Sequence, residues 1–179
     1  MMTRLRLIRT YFPLILVLAT CSLSPGQTFK KPSEGKTMVY FVRYQGAVAL
    51  VDFKYFDGEK YLGRISGKNY VVYECDPGEH VFWVAAENRE FITGDLKANS
   101  TYVIEVRPYM RAISAGVTLY QVSPDNDKVL NQIRQLINKL DPAALKGQQE
   151  DQASFMEAGM KEYEKNIRKT KKINSEWAF

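Results

Sequence analysis

The chain has 179 residues, 45% of them hydrophobic and 12% aromatic, which suits one domain with a real core plus an appendage and excludes a largely disordered protein. Its formal charge of +5 includes Arg4, Arg6 and Arg9; without those three, 22 basic residues face 20 acidic ones, a net of about +2. That near balance argues against nucleic acid as a partner, and two cysteines with a single histidine argue against a Cys/His metal site.

In chain order the first element is an export segment. Residues 1–10 hold three arginines and no acid, and an apolar run from Tyr11 to Ala19 follows. A helix needs about 20 apolar residues to span a bilayer. A shorter run behind a basic flank is the pattern of a signal peptide, here over residues 1–20. Leu18-Ala19-Thr20-Cys21 resembles the lipobox of bacterial lipoproteins, with Thr20 where the strict motif has Gly, Ala or Ser. The resemblance implies that Cys21 is diacylated and becomes the first mature residue. The alternatives are an ordinary signal peptide cut a few residues later, with Cys21 incidental, or an uncleaved anchor. Ser22, rather than an acid, follows the cysteine, which in enterobacterial-type sorting implies the outer membrane. Residues 21–36 contain Pro, Gly, Ser and Lys without apolar periodicity and read as a flexible tether.

From Met38 the hydrophobic period is two. Met38, Tyr40, Val42 and Tyr44 share a face, as do Ala49, Val51, Phe53 and Tyr55. Asp57-Gly58 is a hairpin signal, since both residues tolerate positive φ. Tyr61 to Ile65, Tyr70 to Cys75, Val81 to Ala86, Phe91 to Leu96, Tyr102 to Arg107 and Ala115 to Val122 are the remaining strands. The run at Val81 is apolar on both faces and belongs at the centre of a sheet. About eight short strands, with turn signals every 8–12 residues, predict an antiparallel β-sandwich or small barrel over residues 37–123.

Three motifs within that span carry a resemblance. Tyr55 to Ile65 is similar to the Asp-Gly hairpin of small bacterial envelope sandwiches, and Asp76-Pro77-Gly78-Glu79-His80-Val81 to their Pro-Gly-x-His turn. Leu96 to Val106 resembles their following strand pair, with Asn99-Ser100 where the family has Gly. These motifs resemble a lipoprotein-associated domain family of unknown function, akin to PEGA-type and carboxypeptidase-regulatory-like sandwiches. The resemblance implies the fold and an envelope location. It brings no catalytic residues.

Residues 124–179 read as a helical extension. Ser123-Pro124 suits an N-cap and first helical residue. Val129, Ile133, Leu136, Ile137 and Leu140 then form one stripe, ended by Asp141-Pro142. A second helix is predicted over residues 151–171, with Met156, Met160, Tyr163 and Ile167 on its apolar side. Its basic end, with Lys165, Arg168, Lys169, Lys171 and Lys172, suits a solvated terminus or a contact with a partner helix or anionic headgroups. The first helix is expected to pack on the sandwich, and removal of residues 150–179 to leave the sandwich folded.

The chemistry-bearing residues are few. His80 is expected to bond its own turn, and Cys75 to be a buried, unreactive thiol. Asp52, Asp57 and Glu59 lie near one hairpin, where paired carboxylates could serve glycoside hydrolysis if suitably spaced; Asp57 is better explained by the turn. No Gly-x-Ser-x-Gly, Walker A or dinucleotide-binding motif occurs. Tyr40, Tyr44, Tyr55, Tyr61, Tyr70, Tyr73, Tyr102, Tyr109 and Tyr120 either straddle core and solvent or form an aromatic face for sugars or a protein. The expectation is a lipid-anchored bacterial envelope module without a cofactor or metal. It would be structural or bind another envelope protein rather than act as an enzyme, the alternative being a glycan- or peptidoglycan-binding module.

Overall fold

A computed structural model describes residues 29–46, 50–110, 114–144 and 152–179. The expected signal peptide and Cys21 lie outside the described residues, as does the predicted strand start at Ala49. Nine described strands form two sheets. They are β1 (Thr37–Arg43), β2 (Phe53–Asp57), β3 (Lys60–Ile65), β4 (Asn69–Cys75), β5 (Gly78–Ala85), β6 (Arg89–Leu96), β7 (Ser100–Met110), β8 (Ala115–Gln121) and β9 (Lys171–Lys172). One sheet has the order β4-β1-β7-β8 and the other β3-β2-β5-β6-β9. The mainly β sandwich is as predicted, but its sheets are mixed rather than antiparallel. β1 runs parallel to β7, and β9 runs parallel to β6.

Alternation explains the two-sheet core. Val39 and Phe41 of β1, Phe82 and Val84 of β5, and Tyr102 and Ile104 of β7 point between the sheets. β5 lies between β2 and β6, in the central place expected for a strand apolar on both faces.

The outer faces are apolar too, and each is covered by a helix. Helix α1 (Asp127–Ile137) lays Leu130 and Ile133 on Tyr40, Val42 and Val103 of the first sheet. Helix α2 (Ala153–Asn166) lays Met156 and Phe155 on Phe56, Trp83 and Phe91 of the second. The result is a four-layer helix–sheet–sheet–helix stack. α1 begins three residues later than predicted, because Asn126 rather than Ser123 is its cap, accepting from the Val129 N–H at 3.2 Å.

Two expected boundaries change. The segment 29–36 is not free tether: Phe29 is buried edge-on against Tyr40 and Phe179, and Ser33 donates to the Glu74 carboxylate. The extension is neither wholly helical nor an appendage. After a 3₁₀ turn (Ile167–Lys169), β9 pairs with β6, and Ile173 enters the inter-sheet core above Gly94, where any Cβ would lie 2.6 Å from it. Lys171 Nζ donates to Glu90, Thr118 and the Leu119 carbonyl at 2.6, 2.7 and 2.9 Å, which ties β6 to β8 across the open side of the sandwich. Part of the basic end is therefore a tie within the fold. The Phe179 N–H then donates to the Thr101 carbonyl.

Candidate functional site

The strongest polar cluster closes one end of the sandwich. Asp57 does not sit in the hairpin turn. It ends β2, opposite Phe82 of β5 and Lys60 of β3, and the turn falls on Gly58-Glu59, with Gly58 at φ +54°. The Asp57 carboxylate is thereby released from turn capping. His80 lies two residues before Phe82, so its ring is diagonal to Asp57 on the same face and stacks on Phe82 at 5.2 Å. His80 Nδ1 lies 2.9 Å from both Asp57 oxygens, and Nε2 lies 2.8 Å from the Asp76 carbonyl. From the opposite sheet the Tyr73 hydroxyl donates to Asp57 at 3.1 Å and accepts from Lys60 Nζ at 3.2 Å.

Both His80 nitrogens meet groups that only accept. Both must therefore donate, so the ring is an imidazolium, a state assigned from its acceptors. The Asp57 bond, reinforced by the Cys75 thiol and the Asp76 carbonyl, raises its pKa from 6.5 to about 10. Burial and the Asp57 charge likewise push the Tyr73 hydroxyl well above its ordinary range, keeping it a donor. An imidazolium bonded on both nitrogens has no lone pair with which to act as a base. What the arrangement does is hold the β4–β5 turn, the end of β2 and the opposite sheet in one charged clamp.

This clamp sets a pH dependence. A group whose pKa is raised in the fold contributes fully below its unfolded value, near 6.5, and loses that contribution as pH rises through about 10. The His80→Gln variant is expected to melt below the wild type at pH 6.5 and to converge on it toward pH 10. Thermal unfolding followed by circular dichroism at both ends of this range measures the difference. A gap that does not narrow sinks the imidazolium assignment.

The remaining expected residues are dispersed. Cys75 is a buried free thiol at the edge of the inter-sheet core, as predicted. Asp52 is exposed, with its carboxylate 3.8 Å from Arg64. It lies five strand positions from Asp57, roughly 17 Å along an extended chain, where glycoside hydrolysis needs about 5–9.5 Å between carboxylates. Glu59 is exposed in the hairpin turn. Tyr40, Tyr55, Tyr61, Tyr70 and Tyr102 are buried, Tyr44, Tyr73 and Tyr109 are half-buried, and Tyr120 is exposed. The Tyr120 ring is occupied by Arg107 and Lys171. Among the described residues no group of three or more His, Cys, Asp or Glu side chains could hold a metal ion.

Sequence reading missed Tyr73 and Lys60 as parts of the clamp. Their one signal is the parity that aims Tyr73 and Cys75 inward together, and parity within a strand does not reveal which strand lies opposite. No protein-family model matches this chain, and a search of curated proteins finds no match either.

Proposed function

We propose that this protein is a lipid-anchored module of the bacterial cell envelope, sited at the outer membrane, that works by binding rather than by catalysis. The observation that carries the reading is the short distance along the chain from the acylation motif to the fold. Phe29, buried against Tyr40 and Phe179, comes eight residues after Cys21. Eight residues reach at most about 29 Å when fully extended. A domain of this size is roughly 38 Å across. An acyl group on Cys21 would therefore hold the module within about its own width of the bilayer. Each buried CH₂ of that group adds about 0.8 kcal/mol of membrane affinity.

The non-catalytic part is supported by how His80 and the carboxylates are used. His80 is committed to the clamp, and Asp52 stands far from Asp57. The binding partner in this reading is another envelope component. An aromatic sugar-binding face draws no support from the tyrosines, because most of them are core residues.

Cys21→Ala tests the anchor. The variant is expected to move from the membrane fraction to the soluble fraction and to lose metabolic labelling by radioactive palmitate. Unchanged labelling together with membrane retention would overturn the acylation reading.

A further inference from the structure

At the end of the sandwich opposite Phe29, a cleft of about 580 Å³ opens between the end of β1 and the flank of α1. That volume lies within the usual 300–1,000 Å³ range of small-molecule sites. We propose that this cleft binds an anionic saccharide, with Lys68 and Lys139 meeting its acid group. The lining combines those two ammonium groups with the carboxamides of Gln45, Gln132 and Gln135, and among the described residues it contains no carboxylate. Among the described residues neither lysine has an ion-pair partner, so their charge is available to a ligand. Gln132, Gln135 and Leu136 of α1, and Lys139 in the turn that follows it, recur at helical spacing along the cleft.

The opposite wall is braced. Gln45 Nε2 donates to the carboxylate of Glu105 at 3.2 Å, and Glu105 is buried and held by Arg107 at 2.8 and 3.0 Å. This bond, with a hydrogen bond to the Tyr44 hydroxyl, holds the amide in place. Each carboxamide offers a carbonyl acceptor and an NH₂ donor, the pairing that hydroxyl and N-acetyl groups of a sugar require. Tyr44 and Leu136 add apolar surface for the ring faces. The choice of a saccharide over other anions rests on the envelope reading above, while the preference for an anion rests on the cleft alone.

The test uses the full-length chain in detergent micelles, wild type and Cys21→Ala, titrated by calorimetry with four probes. Two are acidic sugars, an oligogalacturonate trimer and free N-acetylmuramic acid, whose lactyl carboxylate is ionised. The others are neutral chitotriose and inorganic phosphate. At least one acidic sugar is expected to bind roughly tenfold or more tightly than chitotriose and phosphate, and to weaken as salt rises. The double substitution Lys68→Gln with Lys139→Gln is expected to lower that affinity about tenfold or more without altering the circular dichroism spectrum. Gly46→Ala would place a methyl 2.7 Å from Lys68 Cε. It displaces that ammonium without removing its charge and should also weaken binding.

The proposal falls if neither acidic sugar binds, if phosphate or chitotriose binds as tightly as they do, or if the double variant binds like the wild type. Fractionation and palmitate labelling of Cys21→Ala read the anchor, whereas calorimetry reads the cleft, so a failed anchor and a failed cleft are told apart.

Discussion

Removal of residues 167–179 is expected to abolish cooperative folding or to lower the melting temperature by more than about 10 °C. Ile173 fills the inter-sheet core at 7% exposure, and burying such a side chain contributes about 1.5–3 kcal/mol. Lys171 makes three hydrogen bonds between β6 and β8, and Asn174 and Gln121 bond reciprocally at 2.7 and 2.9 Å. The Tyr102 hydroxyl donates to the Ser175 carbonyl, and the Phe179 ring lies against Phe29. Hydrogen bonds of this kind contribute about 0.5–1.5 kcal/mol each. Against a total stability of roughly 5–15 kcal/mol, losing the whole segment removes a large share even after the chain entropy it regains. At about 2–4 °C per kcal/mol for a chain this size, several kcal/mol give the expected drop. Scanning calorimetry of the truncated protein decides the matter. An unchanged, cooperative transition would show that the segment merely rests on the surface.

The second large effect belongs to Trp83. Its indole is fully buried beneath α2, lies parallel to Phe56 at 3.7 Å, stacks near Phe91 and Phe155, and donates to the Gly58 carbonyl at 2.9 Å. Trp83→Ala is expected to cost about 3–5 kcal/mol, the range for a large aromatic truncated in a core. The same contact can be probed from the helix. Gly159 packs so closely that a Cβ would lie 2.6 Å from Trp83 Cη2. Alanine is favoured over glycine by about 1 kcal/mol inside a helix. Here the rigid, enclosed ring cannot give way, so Gly159→Ala is expected to be destabilising by about 1–3 kcal/mol. Urea unfolding of both variants measures these losses. A stabilised Gly159→Ala protein would mean that α2 stands off the sheet.

The turn chemistry was legible where it depends on one residue. Gly58 takes positive φ, and so does Asn99 at φ +57°, because asparagine is among the few side chains that tolerate this region. The site was less legible. The Asp57-Gly58 pair looks like a turn, yet the turn slips by one residue and frees the Asp57 carboxylate for His80 and Tyr73. That one-residue shift depends on the pairing of β2 with β5, which local preference does not reveal. The packing of the tail was not legible for a related reason. Its charge pattern and helical periodicity describe a surface helix, and Ile173 in a polar stretch carries no periodic signal of burial.

The sequence by itself determined the approximate place of β1 to β8, the centrality of β5, the two amphipathic helices, and the burial of Cys75. These follow from alternation, helical spacing and side-chain polarity, which are local properties. Only the tertiary structure decided that β1 runs beside β7, that each helix covers a different sheet, and that the C-terminus completes the second sheet. It alone brought Asp57, Tyr73 and His80 into one clamp and set Lys68 across a cleft from Lys139. Those outcomes depend on which apolar faces meet and which strand edges remain open to pairing, and residues far apart in the chain settle both together.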